Sequence, residues 1–268
     1  MTFVSKHGRF IYSLGHQLYD AALDDKTRKV RTLLTKPNAQ SFINWQDQTG
    51  ATPIYAAAEE GHTEVVKELI AARCDINRSR KDGTTPIYSA AYLGHTGVAE
   101  QLIAARCDIN LAKNGETLIY AAARRGHTEV VKALISARCD INAAQEDGQT
   151  PIFIAARRGH TGVAEQLITA CCDIERASKN GKTPLQVADS KGHLRIATLI
   201  RNEAKRKEEE KAREEELKIF REGSARIRSA TAVVASAKEI ASSATQRVAT
   251  AVQEATDAKT AADEADAT

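Results

Sequence analysis

The chain has 268 residues, of which 42% are hydrophobic, 27% charged and only 4% aromatic, so any core must be built from Ala, Val, Leu and Ile. A net charge of +3 is too small to argue for a nucleic-acid partner by itself. No apolar run reaches the roughly 18 residues that span a bilayer, so no membrane partner is expected.

The first 17 residues contain no apolar h-region and no small-residue cleavage site. They read as a loose or partly helical segment without a secretory signal. From 18 to 34 the apolar positions Leu18, Ala21, Ala22, Val30, Leu33 and Leu34 read as a degenerate end unit of a repeat array, with Trp45 in the next loop covering it.

The repeat itself begins at Thr52. The stretch TPIYAAAEEGHTEVVKELIAARCDIN, Thr52 to Asn77, returns from Thr85, Thr117 and Thr150, and in shortened form from Thr183. Its starts are spaced 33, 32, 33 and 33 residues apart, a period that means stacked units and not one globular core. Thr52 can cap a helix and Pro53 suits its first turn, so a short helix starts there with an Ala-rich apolar face and stops at Gly61. A second helix follows His62, with Val65, Val66, Leu69 and Ile70 in one apolar stripe. Asp82-Gly83, Asn114-Gly115, Asp147-Gly148 and Asn180-Gly181 then read as two-residue hairpin turns with both positions at positive φ.

Helix, turn, helix and hairpin loop, with Thr-Pro, Gly-His and Cys-Asp-Ile-Asn at fixed offsets, resembles the ankyrin repeat across residues 18–200. The resemblance implies an all-α, helix-turn-helix solenoid with short hairpin loops. Two departures stand out. The family's signature His is replaced by Tyr55, Tyr88, Tyr120, Phe153 and Gln186. Its closing Gly-Ala becomes Arg73-Cys74, Arg106-Cys107, Arg138-Cys139 and Cys171-Cys172. A side chain at such a left-handed position costs roughly 1 kcal/mol.

Four of the five cysteines occupy the same place in successive repeats, and helical layers lie about 8–10 Å apart, too far for disulfides or a shared zinc ion. They read as small buried thiols, as in a reducing compartment. His62, His95, His127, His160 and His193 follow the repeat glycines and, by the resemblance, tie turns together. No catalytic constellation, phosphate loop, metal or cofactor site is expected, and the chain is read as a non-enzyme.

After the fifth copy closes near Ile200, residues 201–222 read as a solvated helix with opposite charges four apart: Glu203–Lys207, Lys205–Glu209, Arg206–Glu210, Lys211–Glu215 and Glu214–Lys218. Gly223-Ser224 is expected to break it. Residues 223–268 then place Ile227, Ala230, Val234, Ala237, Ala241, Ala244, Val248 and onward at alternating steps of three and four, a heptad pattern. This tail is read as a coiled coil with a helical partner or itself, or as a lone helix, with a disordered end.

In ankyrin-like stacks, partners dock in a groove lined by the first-helix ends. Here those ends carry Glu59-Glu60, Tyr92-Leu93, Arg124-Arg125, Arg157-Arg158 and Ser190-Lys191. The expected function is protein-binding adaptor or scaffold. An acidic or phosphorylated protein segment would lie on Arg124, Arg125, Arg157, Arg158 and Lys191, with an apolar residue against Tyr92 and Leu93. Nucleic acid is disfavoured, because Glu116, Glu146 and Asp147 intrude and no aromatics interleave the arginines. An effector-type repeat protein delivered to another cell is the remaining alternative. The expected compartment is the cytoplasm, or the nucleus if Lys205-Arg206-Lys207 acts as a signal.

Overall fold

The computed structural model describes residues 6–110, 113 and 115–266. Apart from one isolated bridge between Lys113 and Glu116, the regular structure of these residues is helical. α1 (Lys6–Leu23) and α2 (Thr27–Leu34) form the first unit, and a 3₁₀ turn, Ala39–Ser41, follows. The repeats supply α3 (Pro53–Glu60) with α4 (Thr63–Ala71), α5 (Pro86–Leu93) with α6 (Thr96–Ala104), α7 (Leu118–Arg125) with α8 (Thr128–Ser136), and α9 (Pro151–Arg158) with α10 (Thr161–Thr169). α11 (Pro184–Ser190) pairs with the start of α12 (Leu194–Asp266).

Local chemistry explains each boundary. Thr52, Thr85, Thr117, Thr150 and Thr183 accept, through the side-chain hydroxyl, the backbone N–H three residues on, at 3.3–3.4 Å. The first helices end at Gly61, Gly94, Gly126 and Gly159, all left-handed with φ of 80–84°. The second helices end differently. Arg73, Arg106, Arg138 and Cys171 sit at φ of 60–61°, so the expected strain is present in every copy. The motif is complete all the same: Arg73 N–H donates to Ile70 O (2.9 Å) and Cys74 N–H to Leu69 O (3.2 Å).

The stack buries both helices of each unit. Ala56–Ala58 and Ala121–Ala123 on the first helices have no exposed surface, nor have Val65, Val66 and Leu69 or their counterparts Val98, Ala99 and Leu102. Each fully buried Leu or Val contributes about 1.5–3 kcal/mol. First helices pack on first helices along the series α1, α3, α5, α7, α9, α11, and second helices run in parallel register beside them. Trp45 covers α1 as expected: its ring lies 5.5 Å from His16 and 5.7 Å from Tyr19, and a Cβ at Gly15 would collide with it at 2.4 Å.

Polar ladders lock the layers together. The Nε2–H of His62, His95, His127 and His160 donates to Leu23 O, Glu59 O, Tyr92 O and Arg124 O at 2.9–3.1 Å, each in the preceding unit. These histidine rings, expected to tie turns together, instead join each repeat to the one before it. Asn44, Asn77 and Asn142 similarly accept the backbone N–H of Asp75, Asp108 and Asp173 one layer on, at 2.8–2.9 Å.

The hairpin tips correct the sequence reading. Gly83, Gly148 and Gly181 have positive φ, but Asp82, Asp147 and Asn180 do not (Asn114 lies outside the described residues). Gly83 N–H donates to Arg80 O while Arg80 N–H donates to Thr84 O, so three residues form the loop and only its last is left-handed. Asp82 contributes by accepting Thr84 N–H at 3.0 Å.

Cys74, Cys107 and Cys172 are buried, Cys139 is half-buried and Cys171 is exposed. Burial, reinforced by the adjacent aspartates, pushes the Cys74 and Cys139 thiols up to about 12 and Cys107 to about 11. These three are poor nucleophiles at neutral pH.

The chain divides into two compact units after Ala204. α12 contributes its first turns to the repeat unit, burying Ile196, Ala197 and Ile200. It continues without the expected break at Gly223-Ser224 and takes in residues 262–266 of the end expected to be disordered. One glycine costs a helix only about 1 kcal/mol, and the alanine-rich sequence on its C-terminal side has the highest helix propensity. Lys205–Glu209 (3.8 Å) and Arg206–Glu210 (2.8 Å) pair as expected, whereas Lys218 turns to Glu215 at 3.9 Å. No helix among the described residues is long and apolar enough to cross a membrane.

Candidate functional site

The two residues that end each first helix play different parts. Among the inner members, Arg124 and Arg157 turn back toward the residue before their own helix cap, and Glu59 turns toward Arg80 in the hairpin that follows. In the third repeat, Glu116 immediately precedes the capping Thr117. Its carboxylate accepts Tyr88 OH from the previous repeat at 3.0 Å and Arg124 Nη2–H from its own helix at 3.2 Å. Arg124 Nη2 is nearer to the other oxygen, 3.0 Å, but at an angle too poor for a hydrogen bond, so that oxygen remains unpartnered. The fourth repeat builds the same hub from Gln149, whose Oε1 accepts Tyr120 OH at 3.4 Å and Arg157 Nη1–H at 3.1 Å. Burial and the Glu116 carboxylate hold the Tyr88 phenol well above its ordinary value.

On the N-terminal side, Arg80 donates to Tyr55 OH at 3.2 Å, lies 5.1 Å from that ring's centroid and reaches Glu59 at 3.9 Å. Lys113 donates to Asp82 at 2.8 Å, which holds the Asp82 carboxyl well below the usual carboxylate range. Tyr92 has an aromatic and two cationic neighbours. Its ring stacks 6.2 Å from Tyr88, and the guanidinium groups of Arg125 and Arg124 lie 4.3 and 5.5 Å from its centroid.

Together these groups wall a cleft of about 420 Å³ running from Tyr55 and Glu59, past Tyr88, to Tyr92, Leu93 and Arg124. Its charges balance, with Glu59, Asp82 and Glu116 against Arg80, Lys113 and Arg124. Among the described residues, four of the five buried side-chain polar atoms without a hydrogen-bond partner belong to its lining: Arg80 Nε, Thr84 Oγ1, Glu116 Oε1 and Arg124 Nε. Each such orphan costs about 1–3 kcal/mol, so this is the least satisfied part of the repeat unit.

The outer members face solvent. Glu60, Arg125 and Arg158 are exposed, as are Arg157 and Lys191, and Leu93 is 39% exposed. Arg125, Arg157 and Arg158 form no ion pair with a carboxylate among the described residues; Arg157 is held by the neutral Gln149. Of the residues expected from the sequence, Glu59, Tyr92, Leu93 and Arg124 line the cleft, and Arg124, expected to meet an acidic segment, is already neutralised by Glu116. Arg80 and Glu116 as wall residues, and Gln149 as the matching hub one repeat on, are not among those expectations. Their signal was available: Glu116 to Arg124 and Gln149 to Arg157 are the same eight-residue step from the position before the cap to the helix end.

No group of three or more His, Cys, Asp or Glu side chains among the described residues could hold a metal ion. A family model described as ankyrin repeats matches three times, over residues 18–113, 97–176 and 118–210. Among solved structures, an ankyrin repeat domain from Acinetobacter baumannii shares 26% identity at a TM-score of 0.65, covering 70% of this chain and 97% of its own. The ankyrin repeat protein EF0377 is similar at 26% identity and a TM-score of 0.64, covering 69% and 96%. A search of curated proteins found no match. Family match, fold and repeat chemistry agree, and the chain belongs to the ankyrin-repeat family.

Proposed function

We propose that the helix-end face of this stack binds a segment of another protein that carries acidic or phosphorylated residues, and that the chain acts as a non-enzymatic adaptor. Ankyrin repeats are in general protein-interaction modules, which supports the class of function. The observation that carries the finer reading is the contrast between Arg124, neutralised by Glu116, and Arg125, Arg157 and Arg158, which have no carboxylate partner among the described residues and are exposed. Arginine forks suit carboxylate and phosphate oxygens. The neighbouring cleft offers Tyr92 and Leu93 to an apolar residue of the same segment. Its own balanced charge gives no reason for a phosphate backbone to enter.

Panning a random-peptide library on the native chain tests this. Enrichment of Asp and Glu beside an apolar residue is expected, and its loss when Arg125, Arg157 and Arg158 are all changed to Glu. Selected peptides without acidic enrichment, or equal selection by the triple variant, would refute the proposal.

A further inference from the structure

α12 beyond Ala204 carries a second surface. Phe220, Ile227, Val234 and Val248 are 72%, 69%, 56% and 63% exposed, and they stand at seven-residue steps on one helix face. Reading every seventh residue from Phe220 gives Phe, Ile, Val, Ala, Val, Ala; from Gly223 it gives one glycine and then alanine five times, through Ala258. These are the a and d positions of a heptad, so the seam has a bulky edge and a small edge along most of its length.

We propose that this face pairs with the same face of a second copy of the chain, antiparallel, with Ile227 against Ala251 of the partner subunit and Arg226 against Glu254 of the partner subunit. Volume argues first. In a parallel pair, a meets a and d meets d, so layers of two bulky residues would alternate with layers of two alanines. Helices at one uniform distance cannot fill both. Antiparallel pairing sets a against d, giving Phe with Ala, Ile with Ala and Val with Ala in successive layers, which is the large-to-small matching that dense packing requires.

Charge gives the same answer. Arg221, Arg226 and Arg228 outnumber Glu222 at one end of the seam, and Glu254 and Asp257 outnumber Lys259 at the other. Antiparallel pairing puts the basic end on the acidic end, and parallel pairing puts each end on its like. Arg226 and Glu254 flank the seam at equivalent positions and form no ion pair within the described residues, so both are available across it. Register follows: sliding one copy by a heptad either removes this pair or brings Arg226 onto Arg247 of the partner subunit. The arrangement has one cost, Lys238 facing its own copy at the centre, where both ammonium groups can swing into solvent.

The size is adequate. From Phe220 to Ala258 an α-helix is about 57 Å long, and a seam roughly 10 Å wide gives about 1,100 Å² across both copies. That clears the roughly 1,000 Å² expected of a specific interface, toward the weak end.

The experiment uses the full chain. Sedimentation equilibrium up to roughly 100 µM should show conversion to twice the 29.1 kDa of one chain, with the midpoint in the micromolar range. Val234→Glu with Val248→Glu, both on an exposed face, should leave circular dichroism unchanged in dilute solution and shift that midpoint at least ten-fold. In a Cys171→Ser background, Ile227→Cys chains mixed with Ala251→Cys chains should form a disulfide on oxidation, and Ile227→Cys chains alone should not. A monomer throughout, a dimer indifferent to the two Glu substitutions, or cross-linking of Ile227→Cys chains alone would each overturn the proposal.

Discussion

Gly94 and Gly83 have nearly the same backbone, φ 84° and 81°, in different surroundings. A Cβ at Gly83 meets nothing within 4 Å, while one at Gly94 would lie 2.5 Å from His127 Nδ1. Gly83→Ala should therefore cost only the left-handed strain, about 1–2 kcal/mol. Gly94→Ala adds displacement of the His127 ring. That breaks the 3.0 Å bond to Tyr92 O, worth about 0.5–1.5 kcal/mol, and wedges two repeats apart for about 1 kcal/mol or more. The expected gap between the variants is about 2 kcal/mol, or roughly 4–8 °C in Tm. Urea titration followed by far-ultraviolet circular dichroism measures it. Equal destabilisation would show that the histidine ladder contributes nothing and that the glycines serve φ alone. Because the ladder fixes the Tyr92 carbonyl, Gly94→Ala should also weaken peptide binding at the cleft, and Gly83→Ala should not.

The Glu116 hub makes a second forecast. Glu116→Gln reproduces the arrangement already present at Gln149 and should change stability by less than about 1 kcal/mol, whereas Glu116→Ala leaves Tyr88 and Arg124 unpaired and should cost about 1–3 kcal/mol by urea titration. Burial holds the His127 imidazole below its ordinary value, so the unfolded chain takes up that proton first. Stability should fall as pH drops below about 6.5, and fall less in His127→Gln, as thermal melts across the range will report. A thiol reagent at neutral pH should modify the exposed Cys171 quickly and Cys74, Cys107 and Cys172 only on unfolding, counted by mass spectrometry.

The solenoid was legible in the sequence because its determinants are local. Thr before Pro, Gly before His and a period of 32 or 33 residues fix caps and ends without reference to anything distant. Even the arginines at the second-helix ends were correctly placed at a strained position, since the motif alone dictates φ there. The site was legible in part. Its candidates came from position at the helix ends, which says where a side chain starts and not which neighbour it meets. Arg124 and Arg157 are sequence equivalents, yet Glu116 neutralises one while Gln149 leaves the other charged. Asp82 departs from expectation for the complementary reason: the dipeptide rule supplies positive φ at two positions, but the hairpin spans three residues and needs it at one. Gly223 does not break the helix, because its cost is set against the propensity of the alanine-rich stretch that follows.

The most direct test of the central claim is the affinity of an acidic peptide selected on the native chain, measured by fluorescence anisotropy as salt rises from about 50 to about 300 mM. With Arg125, Arg157 and Arg158 supplying the attraction, binding should weaken roughly ten-fold over that range, and the Arg125→Glu, Arg157→Glu, Arg158→Glu variant should bind weakly at both ends of it. An affinity that ignores salt, or survives the charge reversal, would contradict the account and move recognition to another face of the repeats.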